Sequence, residues 1–136
     1  LENTDICVKK DGYLFISIYN DQRLQSKIWK SIKKTYVKTP ILRPPIILFG
    51  YMLFWFPFFL LGLFQLDPFK RWREYKKKRG MSPHHDIVDW MGGYPFEVAK
   101  PEEIIHFYLK MDYELKHLKT CGGRLGCNEF VFKKIK

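Results

Sequence analysis

The chain has 136 residues, and its 24 Lys or Arg stand against 14 Asp or Glu, a net charge of +10. That length suits one domain and excludes two with full cores. Three cysteines (Cys7, Cys121, Cys127), with no secretory pattern at the start, argue against a disulfide scaffold and for a reducing, cytosolic side.

The charge is unevenly placed. Residues 22–80 carry 14 Lys or Arg against Asp67 and Glu74, a local balance of +12, and the remainder of the chain comes to −2. Within that basic region, residues 46–66 (IILFGYMLFWFPFFLLGLFQL) hold no charge across 21 positions. Positive borders on a greasy segment suit an anionic lipid surface, where each basic residue adds on the order of 1 kcal/mol. Nucleic acid is the weaker alternative, because its partner surface is a polar groove.

In chain order, the opening ten residues show no clear pattern, and the start on Leu1 suggests a piece of something larger. Asp11-Gly12 is a turn signal. The β-branched and aromatic run from Tyr13 to Tyr19 predicts a strand, apolar on both faces as far as Ile16, as in a covered α/β sheet. It ends on Tyr19, Asn20 and Asp21, a polar cluster beyond a carboxyl end, where open α/β sheets bind ligands.

Residues 22–38 predict an amphipathic helix with Ile28, Trp29, Ile32 and Tyr36 apolar, and Pro40, Pro44 and Pro45 then break the chain. As one helix, residues 46–66 would reach roughly 31 Å, enough to span a bilayer core. Pro57 at its middle, Gly50 and Gly62 in its halves and positive charge on both flanks favour two short helices that dip into one leaflet and return. A buried hairpin or substrate-covering lid, and a true span, stay open beside that reading.

Residues 69–79 (FKRWREYKKKR) predict a second basic helix, with Phe69, Trp72 and Tyr75 either at headgroup level or packed on the domain. Residues 81–100 read as a loop rich in chemistry. His84, His85, Asp86 and Asp89 form the one His/Asp cluster, suited to a general base for a hydroxyl or phenol. Adjacent histidines seldom both face one metal ion, and a polar loop without chemistry is the plain alternative. Pro101-Glu102-Glu103 opens a helix to about Met111. Residues 113–120 and 129–135 then alternate as strands around the glycine turn CGGRLGCN, where Cys121 and Cys127 lack metal or redox spacing.

The stretch DGYLFISIYND resembles the fifth strand of class I S-adenosylmethionine-dependent methyltransferases, where a glycine turn precedes an apolar strand. The ending, GGYPFEVAKPEEIIHFYLKMDYELKHLKTCGGRLGCNEFVFKKI, is similar to the closing helix and antiparallel strand pair of that fold. Together they resemble methyltransferases of the ubiquinone-biosynthesis O-methyltransferase type, over nearly the whole chain except residues 41–66. The resemblance implies an α/β, Rossmann-like fold of which residues 1–136 supply the C-terminal part: the last three strands of a mixed sheet, with residues 22–80 as a basic and apolar helical insertion acting as lid or membrane contact.

The first strand, its glycine-rich loop and the acidic residue for the cofactor ribose are missing from this sequence. S-adenosyl-L-methionine would therefore bind the complete enzyme and not this chain alone. The resemblance places Tyr19, Asn20 and Asp21 at the pocket floor. It places His84, His85 and Asp86, as catalytic candidates, with Trp90, Tyr94 and Glu97 along the acceptor side. Catalysis in such a fold is largely alignment, so a base is optional. The partners implied are a small-molecule acceptor, apolar or lipid-linked, and an anionic membrane surface, without nucleic acid or metal. The enzyme would be cytoplasmic and peripheral on the inner face of a membrane. The alternative is a non-catalytic, membrane-anchored binding or adaptor protein.

Overall fold

A computed structural model describes residues 2–136. The fold is α/β, with a mixed sheet of four strands, β1 (Tyr13–Asn20), β2 (Val98–Ala99), β3 (Tyr113–Lys119) and β4 (Cys127–Lys134), in the order β2-β1-β4-β3. The chain forms two compact units: the part up to Lys27 together with Glu97–Lys136, which holds the sheet, and Ile28–Phe96, which is helical.

In the sheet unit, α1 (Glu2–Asp5) precedes β1 (Tyr13–Asn20), and α2 (Leu24–Lys38) then carries the chain from this unit into the helical one. The chain returns through β2 (Val98–Ala99), α7 (Pro101–Leu109), β3 (Tyr113–Lys119) and β4 (Cys127–Lys134). The last strand, β4, lies antiparallel between β1 and β3, so those two run parallel to each other. Alternation along β4 turns Asn128, Phe130 and Phe132 inward, and all three are buried. Phe132 stacks near Phe130 (centroids 5.9 Å apart) and Tyr108 (4.9 Å), and Tyr108 meets Tyr113 edge-on at 5.3 Å. Rings so arranged each add roughly 0.5–1.5 kcal/mol beyond the area they bury.

Helix α7 covers this core because Ile104 and Tyr108, one turn apart, both point into it. Its start is fixed by sequence. Pro101 takes the first turn, where a missing N–H costs nothing, and the Glu103 carboxylate accepts the Lys100 N–H at 3.0 Å. Asp5 secures the other end of the core, accepting the Tyr113 hydroxyl at 2.7 Å and pairing with Lys134 at 2.8 Å.

Strand β1 differs from its expected double cover. Leu14, Ile16 and Ile18 pack on the core, but Tyr13 and Phe15 on the opposite face are 66 % and 63 % exposed. Its outer flank pairs with β2 only at Tyr19 and Asn20. Among the described residues, no strand occupies the flank from Tyr13 to Ile18.

In the helical unit, Tyr36, Ile87 and Met91 form a buried cluster, with Trp29 and Ile32 of α2 packed against it and Ile28 left exposed. A 3-10 turn (Pro40–Leu42), α3 (Arg43–Phe54) and α4 (Phe56–Phe64) then run almost without a break. Trp55 donates its N–H to the Tyr51 carbonyl and accepts from Phe59 N–H, both at 2.9 Å, so helical bonding continues across the joint. Pro57 removes one N–H in the first turn of α4, which is too little to reverse the chain. The expected dip-and-return therefore does not turn at Pro57.

The chain reverses at residues 62–68. A Cβ on Gly62 would lie 2.5 Å from the Pro68 Cα and 2.8 Å from the Asp67 carbonyl oxygen, so only glycine lets the backbones meet there. Helix α5 (Lys70–Arg79) returns along α4, its Phe69 flank against Phe59 (5.7 Å) and its Trp72 and Tyr75 against Trp55 (both 4.9 Å). All three aromatics touch rings of the preceding segment, while Phe69 and Trp72 stay 56 % and 38 % exposed.

Gly80, at φ 82°, caps α5. Residues 83–92 then form α6 (Pro83–Gly92) where a loop was expected. Ser82 accepts the His85 N–H, Pro83 takes the first turn, and Pro83, Ile87 and Met91, spaced by four, bury one stripe. Gly50 lets α3 approach that stripe, since a Cβ there would fall 2.8 Å from Met91 and 2.9 Å from Ile87.

Candidate functional site

The residues singled out by sequence fall into two groups, one in each unit, with Glu97 exposed at the edge of the sheet unit. At the carboxyl end of β1, Asn20 donates its N–H to the Gly126 carbonyl at 2.9 Å and accepts the Asn128 side-chain amide at 3.0 Å. Asn128 in turn accepts the Cys121 N–H at 3.1 Å. Its carbonyl and amide both have partners, which is what lets an amide lie buried among aromatic rings. Asp21 accepts the Arg23 N–H at 2.9 Å two residues on, and this Asx turn holds Arg23 at φ 54° before α2 begins. Tyr19, Asn20 and Asp21 thus shape a polar rim.

In the helical unit, the first turn of α6 presents its groups to different neighbours. His84 Nδ1 shares a hydrogen bond with the Tyr51 hydroxyl at 2.8 Å, and their rings stack at 6.2 Å. His85 Nδ1 pairs with the Ser82 hydroxyl at 2.7 Å. Asp86 accepts the Tyr75 hydroxyl and faces Arg79 at 3.6 Å, so its carboxylate serves α5 and not the histidines. Burial, and the bond to Asp86 after it, push the Tyr75 phenol above its ordinary value.

A catalytic dyad between His84 or His85 and Asp86 is absent from this geometry. Among the described residues, no three His, Cys, Asp or Glu side chains gather closely enough to hold a metal ion. Trp90 faces Trp29 edge-on at 5.6 Å and Phe96 at 6.2 Å, and Tyr94 is half-buried.

Lys33 escaped the sequence reading. Only 2 % exposed, it donates to the Trp90 carbonyl, and its ammonium sits 3.8 Å above the Trp90 ring and 5.1 Å from the Phe96 ring. Burial lowers the ammonium from 10.5 to about 8, although Asp89 acts to raise it. The signal was spacing: Lys33 lies four residues after Trp29 and three before Tyr36, on the apolar stripe of α2. Asn128 was missed for a similar reason, as it shares the inward register of Phe130 and Phe132.

The described residues do not fit S-adenosyl-L-methionine. The link from β1 to α2 is Asp21-Gln22-Arg23, without a glycine, and the positive-φ glycines are a helix cap (Gly80) and a strand-to-strand turn (Gly122, Gly123). No protein-family model, curated protein or solved structure matches this chain.

Proposed function

We propose that this chain is the C-terminal, acceptor-side part of an S-adenosylmethionine-dependent methyltransferase that works on an apolar or lipid-linked small molecule at an anionic membrane surface. The observation that supports it most is the sheet. A closing helix and antiparallel pair follow β1 after a long insertion, and the final strand is the one inserted between its predecessors. The bare flank of β1 from Tyr13 to Ile18 is where further strands would join, and an unpaired flank of that length is otherwise a liability.

In this reading the cofactor is held by strands that this chain does not include. Its own residues supply the acceptor side. Asn20, fixed by Asn128 and Gly126, sets the rim at the end of β1. His84, oriented by Tyr51, is the best placed group to accept a proton, and holding the acceptor in line is the larger task. The membrane part rests on Pro40–Phe64, which is long and apolar enough to cross a bilayer and mostly exposed, beside a basic α5. The bound state we favour lies in the surface of one leaflet, since α5 folds back along α4.

Calorimetry with S-adenosylmethionine tests the assignment on this chain and on a form extended by whatever precedes Leu1 in its gene. Binding by the extended form alone is expected. Binding by neither moves the reading to a membrane-anchored adaptor. Replacing His84 by Ala in the extended form should slow turnover if it is the base, and unchanged turnover removes that role. Retention on anionic vesicles at low salt, lost at high salt, is expected of the insertion.

A further inference from the structure

The seam between α4 and α5 holds a groove of about 590 Å³ whose two walls differ in chemistry. One wall is apolar, with Phe58, Leu61 and Gly62, and the other is basic, with Lys70 and Arg71 toward the turn. Its two carboxylates are already matched. Asp67 pairs with Arg73 at 2.6 Å and Glu74 with Lys78 at 2.9 Å. Lys70, though near enough to Glu74 to act on it, and Arg71 form no ion pair among the described residues, so the groove keeps a positive end.

The Arg71 guanidinium lies 3.3 Å over the Phe58 ring. Stacking occupies the face of a guanidinium and leaves its edge donors for oxygen atoms, the geometry that suits a phosphate. Arg71, Phe58 and Pro68 also line a second, apolar hollow of about 230 Å³ on the same seam, with Trp55, Phe59 and Trp72. Beyond both, the apolar surface continues to the hairpin tip at Phe64 and Leu66, 89 % and 93 % exposed.

We propose that this seam binds one anionic phospholipid, its phosphate on Arg71 and Lys70, one chain along Phe58 and Leu61, and the other toward Trp55 and Phe59. The groove's volume suits a headgroup with part of a chain. A nucleic acid backbone would meet the same cations but would leave the adjoining apolar tip in water. The proposal rests on the membrane part of the proposed function and is independent of the methyltransferase part.

The test uses the full chain and dihexanoyl phosphatidic acid below its micelle concentration, so that no bilayer is needed. Inorganic phosphate, dihexanoyl phosphatidylcholine and a single-stranded oligonucleotide are titrated beside it. Phosphatidic acid should bind at least about tenfold more tightly than phosphate or the zwitterionic lipid. Arg71→Gln should weaken it by about tenfold, the effect of losing one charge-assisted partner. Lys77→Gln, which removes the same charge outside the groove, should leave it within about twofold. Leu61→Glu, at a side chain already 57 % exposed and so tolerant of change, should weaken binding as much as Arg71→Gln.

Equal affinity for inorganic phosphate, equal loss in Arg71→Gln and Lys77→Gln, or tighter binding of the oligonucleotide would each overturn the proposal. Binding of the soluble lipid by a chain that ignores vesicles would uphold the groove while removing the membrane surface from the proposed function.

Discussion

Phe132 and Phe64 are the same residue put to opposite use. Phe132 is enclosed by Phe130 and Tyr108 at the centre of the sheet unit, and Phe64 stands almost bare at the tip of the helical hairpin. The contrast extends to the elements around them. Strand β4 alternates strictly between core and surface, whereas the helix from Pro40 to Phe64 is apolar on both its packed and its open side. Side chains on that open side are exposed from Ile41 through Leu48, Met52 and Phe56 to Leu63. An alternating strand buries one face and leaves the other to water, whereas a helix apolar all round leaves apolar side chains uncovered here, which is what the proposed lipid contact would cover.

The sharpest way to break this comparison is Phe132→Ala. Removing an enclosed ring should cost about 3–5 kcal/mol, a large share of what holds a domain of this size. Hydrogen exchange should show amides of β1 and β4 losing protection while those of α3 and α6 keep theirs, and loss in both at once would mean a single cooperative unit. Phe64→Glu is the converse. In water its stability should move by no more than about 0.5 kcal/mol, yet partition onto anionic vesicles should fall by about ten- to a hundredfold. Co-sedimentation reads that ratio, and an unchanged ratio would place the tip outside the bilayer.

Gly62→Ala probes the turn itself. Its Cβ meets backbone at 2.5 Å, which cannot swing aside, so a cost of about 1–3 kcal/mol to urea unfolding of the helical unit is expected. Lys33 gives the comparison a pH dependence. Its amine is depressed to about 8 in the folded chain, so the folded state binds the proton less well than the unfolded state does. Stability of the helical unit should therefore rise with pH from about 8 until the unfolded amine deprotonates near 10.5. Lys33→Met removes that rise, and melts at about pH 7.5 and about pH 10 on both forms expose the difference.

Much of the sheet unit was legible in sequence because its rules are local. The Pro101 start of α7, the alternation of β4 and the glycine turn before it each declare themselves within a few residues. Helix α6 was hidden by its own chemistry. Two histidines and two aspartates drew attention from Ser82, Pro83 and the spacing of Ile87 and Met91, which together specify a capped helix. The His/Asp cluster is spread for the same reason, since a helical turn aims His84, His85 and Asp86 at different neighbours.

The place of chain reversal was also misread. Proline advertises a break, but Pro57 sits in a first turn that tolerates it, while Gly62 acts through its close approach to the backbone of Asp67 and Pro68, which no residue type at those positions announces. The double cover expected of β1 failed because aromatic content was taken for burial. Tyr13 and Phe15 project from the sheet face turned away from the core, and the described residues leave that face open.

The four tryptophans, Trp29, Trp55, Trp72 and Trp90, all lie within Ile28–Phe96, and the sheet unit has tyrosines but no tryptophan. The two units are therefore separable by light. Indole emission reports on the helical unit alone, with Trp55 and Trp72 at the α4–α5 seam and Trp90 beside the Lys33 ammonium. Arrival of a lipid at the hairpin would shift the colour of one pair, and deprotonation of Lys33 would change the brightness of the other, without a label on either.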